Sequence, residues 1–213
     1  MLSYFPHAPA TVALLFITSI ISLYAMRDEL FRDKLTLIPY DVKLDKSYWK
    51  WITNGFVHGG PTHLFVNMLT LWFFGPLCEY TLGTPWFIVL YMSGLLAGSL
   101  GTHLRHVGNS GYPGTLGASG AISGVVLGTI VTNPMLGISI PGLTLIHPSL
   151  SLPAWIAGVL FLSVTLILML RKDDMKKMNH DAHFWGAVTG FVIAFFLQPE
   201  PVQHLVASLN ILL

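Results

Sequence analysis

Six apolar runs with almost no charge divide the chain, at roughly residues 10–26, 62–80, 86–104, 117–132, 153–170 and 182–198. They are continuous and do not alternate with the period of two that marks a half-buried strand, so they predict helices. Five of them end on clear punctuation: Arg27-Asp28-Glu29, Leu82-Gly83-Thr84-Pro85, Asn133-Pro134, Arg171-Lys172-Asp173-Asp174 and Pro199-Glu200-Pro201. A bilayer-spanning helix needs roughly 20 mostly apolar residues. The pattern therefore predicts an all-α membrane protein, a six-transmembrane-helix bundle forming a single domain over residues 1–213. The first run is not read as a signal peptide, because no basic residue precedes it and no small-x-small cleavage site follows. The longest connection, Arg27 to Gly60, mixes charges with Tyr40, Tyr48, Trp49, Trp51 and Phe56. That mixture suits a segment lying in the membrane interface.

Composition narrows the picture. Of 213 residues, 53% are hydrophobic and only 10% are charged. A soluble domain carries about 25% charged residues to cover its surface, and the mean hydropathy of +0.65 agrees that this chain cannot. A net charge of +1 excludes a nucleic-acid binder. One cysteine, Cys78, excludes a disulfide framework and a cysteine-built metal site. Membrane lipid is the predicted surrounding.

Polar residues inside a membrane are costly, and each is by default a functional candidate. In a six-helix chain the second, fourth and sixth helices start on one side. His58, His63 and Asn67 lie near the start of the second, Ser119 near the start of the fourth, and His180 and His183 at the start of the sixth. His63 and Asn67, four apart, share a helical face. Gly120, Gly124 and Gly128 on the fourth helix and Gly186 and Gly190 on the sixth give matching small-xxx-small faces, which let helix backbones approach closely. Contact between them would bring the Ser119 hydroxyl toward the His183 imidazole. Serine needs an adjacent base to act as a nucleophile, and histidine suits that role. Asp181 points to another face of its helix, so the arrangement reads as a dyad without a carboxylate. The Ser119 amide, His63 and Asn67 are the candidate donors to an oxyanion, and no cofactor or metal is expected.

At these residues the chain resembles the rhomboid intramembrane serine proteases. Gly117-Ala118-Ser119-Gly120 matches the family's GxSG, His63 to Asn67 its HxxxN, and Ala182-His183 with Gly186 and Gly190 its AHxxGxxxG. His58, Trp49-Lys50 and Glu79, placed in the turn after the second helix, are smaller matches. The resemblance implies a rhomboid-like bundle with Ser119 as nucleophile and His183 as base, and His63 and Asn67 in the oxyanion hole. It also implies transmembrane protein substrates, a half-embedded L1 loop from Arg27 to Gly60, and a multi-pass protein of the bacterial inner (cell) membrane. Two positions depart from the pattern. Ser123 stands where many bacterial members carry a Tyr packed on the catalytic His, and Lys50 stands where many have Arg.

Orientation draws two opposed expectations. All 11 Lys and Arg fall in the first, third and fifth connections, on the side of the candidate site. The positive-inside rule would put that side in the cytoplasm, whereas the resemblance implies an exterior or periplasmic opening, which is the expectation adopted. Two other functions compete: a catalytically inactive rhomboid-like client-binding protein, and a His-rich metal-binding protein built on His103/His106, His180/His183, His58 and His63. The intact dyad speaks against the first. The absence of HExxH and of a Cys pair speaks against the second, and His103 and His106 are expected as solvated histidines at a helix end.

Overall fold

The computed structural model describes residues 2–139, 151–171 and 179–210. Lys172, Lys176 and Lys177, part of the charge argument above, lie outside the described residues. The chain is mostly helical. After a 3-10 turn at Leu2–His7 come α1 (Pro9–Ala25), three short helices α2 (Glu29–Leu35), α3 (Pro39–Asp45) and α4 (Lys50–Thr53), and a second 3-10 turn at Asn54–Phe56. Then follow α5 (Pro61–Leu82), α6 (Thr84–His106), α7 (Ser119–Thr132), strands β1 (Gly137–Ser139) and β2 (Ser151–Pro153), α8 (Ala154–Leu170), α9 (His180–Leu197) and α10 (Glu200–Asn210). Helices α1, α5, α6, α7, α8 and α9 coincide with the six apolar runs. The antiparallel β1–β2 pair, with Ile138 opposite Leu152, and the terminal α10 had no counterpart in the sequence reading.

Helix α7 is the centre of the bundle. Twelve of its 14 residues are buried, and α5, α6, α8 and α9 surround it. Its glycine face does what the spacing suggested over two of its three glycines. A β-carbon on Gly186 would collide with the Gly120 carbonyl, and one on Gly190 with the Gly124 carbonyl. Gly128 turns elsewhere, toward Leu90 and Cys78. On α6, Gly94 lies against Ala121 and Gly98 against Ala182, which draws three helices to one close-packed line.

The surface is inverted relative to a soluble protein. On α8 only Ala154, Gly158 and Thr165 are buried, while Val159, Leu160, Val164 and Ile167 face outward. Thr11, Thr18, Ser22, Asn67, Glu79 and Ser99 are buried instead. Large apolar side chains outside and small or polar ones inside suit an apolar solvent, since packing in lipid favours small residues at helix contacts. By length and composition alone, among the described residues, only α6 is a clear spanning helix, and α9 with α10 passes together despite a 94° bend. Polar residues dilute α5, and α1, α7 and α8 have 14 to 17 residues.

Glu79, expected in a turn, sits inside the last turn of α5 and is buried. Its carboxylate accepts from the Ala10 and Thr11 amides at 2.9 and 2.7 Å, and from the Thr11 and Thr84 hydroxyls at 2.7 and 2.8 Å. One acid thereby caps α1 and joins it to α5 and α6, as a negative group does at a helix N-terminus.

Candidate active site

A cavity of about 900 Å3 opens among the starts of α5, α7 and α9, and Ser119, His183, His63 and Asn67 all line it. Each is delivered by a local signal. Gly60 and Pro61 start α5, so His63 falls in its first turn and Asn67 in its second. Gly117 starts the turn into α7 with a φ of 119°, a left-handed conformation that favours glycine. A β-carbon there would also lie 2.7 Å from the His63 ring, so the first glycine of Gly117-Ala118-Ser119-Gly120 makes room for His63. Asn179 caps α9 by accepting from the Ala182 amide.

Ser119 and His183 are both half-buried, and no hydrogen bond joins them among the described residues. Such bonds are often long in unliganded sites. Asn67 is buried and gives one amide hydrogen to the His63 carbonyl at 2.9 Å, leaving one rather than two for a ligand. Ser123 lines the cavity too, and the aromatic neighbour of His183 is the edge of His180, with ring centres 6.0 Å apart.

Below the cavity mouth a chain of hydrogen bonds holds the segment before Ser119. The Ala118 amide donates to His58 Nε2 at 3.3 Å, so His58 carries its proton on Nδ1 and can donate to Ser22 Oγ at 2.8 Å. Ser22 in turn donates to the Phe56 carbonyl at 2.9 Å. The Gly117 amide donates to the Asn54 carbonyl at 2.8 Å, and Asn54 Nδ2 donates to Ser99 Oγ on α6. The connection from α1 to α5 is thus built into the site by its backbone.

The start of α9 has its own clamp. Asp181 is buried and accepts from Arg105 Nη1 at 2.8 Å and pairs with His106 Nε2 at 2.9 Å. Its engagement there takes it away from His183. His106 also stacks on Tyr112, ring centres 4.1 Å apart, and burial with the nearby Asp181 charge pushes the Tyr112 phenol up. His103 packs against Trp51. Both histidines are over nine-tenths buried, which corrects their reading as solvated: the end of α6 is covered by α9 and by the first connection. Among the described residues no group of three or more His, Cys, Asp or Glu side chains gathers as it would around a metal. Thr115, Phe161 and Asn179 also line the cavity and were not foreseen. Only Asn179 left a signal, as an Asn three residues before an apolar run.

A helical bundle with an apolar outer surface and a polar cavity at the starts of three helices defines a class of membrane proteins with a buried polar site. The rhomboid domain model matches residues 45–200, and the chain belongs to the rhomboid family, whose members are integral membrane proteins. It is similar to the putative rhomboid protease YdcA of Bacillus subtilis (strain 168), 25% identical over 175 residues that make up 82% of this chain and 79% of that one. It is 28% identical to RHOMBOID-like protein 5 of Arabidopsis thaliana over 72% of this chain and 45% of that one. With the rhomboid protease GlpG of Yersinia pestis (strain Pestoides F) the identity is 27%, over 74% of this chain and 51% of that one. The chain thus spans about half the length of the last two.

Proposed function

We propose that this chain is an intramembrane serine endopeptidase that cleaves transmembrane protein substrates with a Ser119–His183 dyad. One observation carries the reading: Ser119, His183, His63 and Asn67, drawn from three helices, converge on one cavity. Ser119 Oγ attacks the carbonyl carbon of the scissile peptide as its proton passes to His183. The carbonyl electrons move onto oxygen, where the Ser119 amide, His63 and the free hydrogen of Asn67 receive the developing charge. Collapse breaks the C–N bond, and His183 returns the proton to the leaving amine. A water then gives its proton to His183 and attacks the acyl ester, releasing the acid and restoring the Ser119 hydroxyl.

In this reading the six long helices cross the bilayer, and the connection holding α2, α3 and α4 lies at its interface. The protein sits in a bacterial cell membrane with the cavity open to the exterior. The distribution of Lys and Arg along the chain argues for the opposite orientation, and the resemblance to the family favours the exterior. A reporter fused after Leu213 tests this: an internal reporter supports it, an external one overturns it.

The dyad is tested with a fluorophosphonate, which bonds only to an activated serine, and with cleavage of single-span helical substrates. Labelling and cleavage are expected in the wild type and lost in Ser119→Ala and His183→Ala without loss of fold. Wild-type rates in either variant would sink the dyad. A folded wild-type protein that is neither labelled nor active would instead favour the client-binding reading.

A further inference from the structure

Ser119 and His183 are not bonded to each other, so whatever fixes their spacing must lie in the structure around them. The start of α9 holds a side chain suited to that task. Asn179 lines the cavity four residues before His183. Its Oδ1 accepts from the Ala182 amide at 3.2 Å, an ordinary helix cap. A cap uses nothing else. Yet both hydrogens of Nδ2 are also placed, one on Thr102 Oγ1 and one on Thr115 Oγ1, each at 2.8 Å.

We infer that Asn179 is a positioning residue of the site, its amide tying the first turn of α9, which carries His183, to the Thr115 segment that delivers Ser119. The inference rests on the dyad reading above. Thr102 gives its own proton to the Gly98 carbonyl at 2.8 Å, so it can only accept from Asn179. Thr115 exchanges backbone hydrogen bonds with Leu37, amide to carbonyl at 2.8 and 3.0 Å. The segment before Ser119 is therefore held on one side by the first connection and on the other by Asn179. Asp181 already fastens α9 to α6 through Arg105 and His106. Removing the Asn179 donors therefore leaves α9 anchored to α6 through Asp181 and packed on α7 through Gly186, and cuts only its side-chain ties to Thr102 and to the Thr115 segment. A misplacement of about 1 Å between reacting groups costs on the order of 100-fold in rate.

The test uses substitutions that keep the cap. Asn179→Asp retains the capping oxygen, since Asp caps as well as Asn, and loses both donors. Thr115→Val removes the acceptor at nearly constant shape, and Thr115→Ser restores it. The full-length protein is assayed for kcat and KM on a helical membrane substrate, for fluorophosphonate labelling rate and for thermal unfolding. Asn179→Asp and Thr115→Val are each expected to lower kcat and labelling about 10- to 100-fold with KM unchanged. Thr115→Ser is expected to act as wild type, and the double variant to be no slower than the slower single one. If Asn179→Asp does not fold, Thr115→Val and its rescue by Thr115→Ser carry the test. Wild-type kcat in Thr115→Val, additive losses, or a loss spread over KM would overturn the inference. An unlabelled wild type overturns the dyad reading and this inference with it, whereas a labelled wild type with indifferent variants overturns this inference alone.

Discussion

The carbonyl oxygen of Gly120 lies against the α-carbon of Gly186, so closely that a β-carbon on Gly186 would overlap it. Gly190 stands in the same relation to Gly124. Here two helix backbones meet, and neither can rotate aside as a side chain can. Gly186→Ala must push α9 from α7, and overpacking of this kind costs about 1–3 kcal/mol. Unfolding at lower temperature is expected, with loss of fluorophosphonate labelling in the protein that remains folded, because Ser119 and His183 flank this contact. Gly128→Ala is the control. Its β-carbon would meet the end of the Leu90 side chain at 2.8 Å, which can move, so a smaller effect on stability and none on labelling is expected.

Glu79 predicts the opposite pattern, a loss of stability without a loss of chemistry. Each of its carboxylate oxygens accepts two hydrogen bonds, from the start of α1 and from Thr84. Glu79→Gln would turn an amide NH2 toward donors already pointing inward. Hydrogen bonds to a charged group contribute about 1.5–3 kcal/mol each, and unsatisfied buried groups add to the loss. Destabilisation of about 2–3 kcal/mol is expected in denaturant titrations, with the labelling rate per folded molecule unchanged, because Glu79 does not line the cavity.

His58 sits between these cases. His58→Ala would leave the buried Ala118 amide without a partner, which costs about 1–3 kcal/mol, directly before Ser119. Ser22→Ala removes a more distant link of the same chain and is expected to cost about 1 kcal/mol. Thermal unfolding should rank wild type above Ser22→Ala above His58→Ala. Labelling should slow in His58→Ala and hold in Ser22→Ala. Equal labelling in all three would show that the His58 bond does not order the nucleophile segment.

What the sequence made legible was local and periodic. Apolar runs located the six long helices, because hydrophobic length is written directly in the chain. Glycines every fourth residue on α7 and α9 announced a close contact, and parity placed Ser119, His63, Asn67 and His183 at one level. Illegible was everything that joins residues far apart in the chain. Asn179 meets Thr115 and Thr102 across 64 and 77 positions, and Asp181 meets Arg105 across 76. Periodicity carries no information about such partners. The same blindness turned His103 and His106 into solvated residues. It also hid β1 and β2, which are three residues each and lie between apolar helices.

Asn67 offers the sharpest test of where charge develops. It is buried, and its amide has one hydrogen on the His63 carbonyl, so a single N–H remains for the cavity. If that hydrogen receives the oxyanion, its contribution exists only once the carbonyl oxygen has become charged. Asn67→Ala should then lower kcat and leave KM as it was, because the substrate's ground state does not use the bond. Loss of one oxyanion donor costs about 100- to 1000-fold in kcat in a soluble serine protease, and a comparable loss is expected here. Thr70→Ala, one turn further along α5 on the same cavity wall, removes no such donor, because its hydroxyl is committed to the Val66 carbonyl at 2.8 Å. It should change kcat little. A rise in KM with kcat intact in Asn67→Ala would move Asn67 from charge stabilisation to substrate binding.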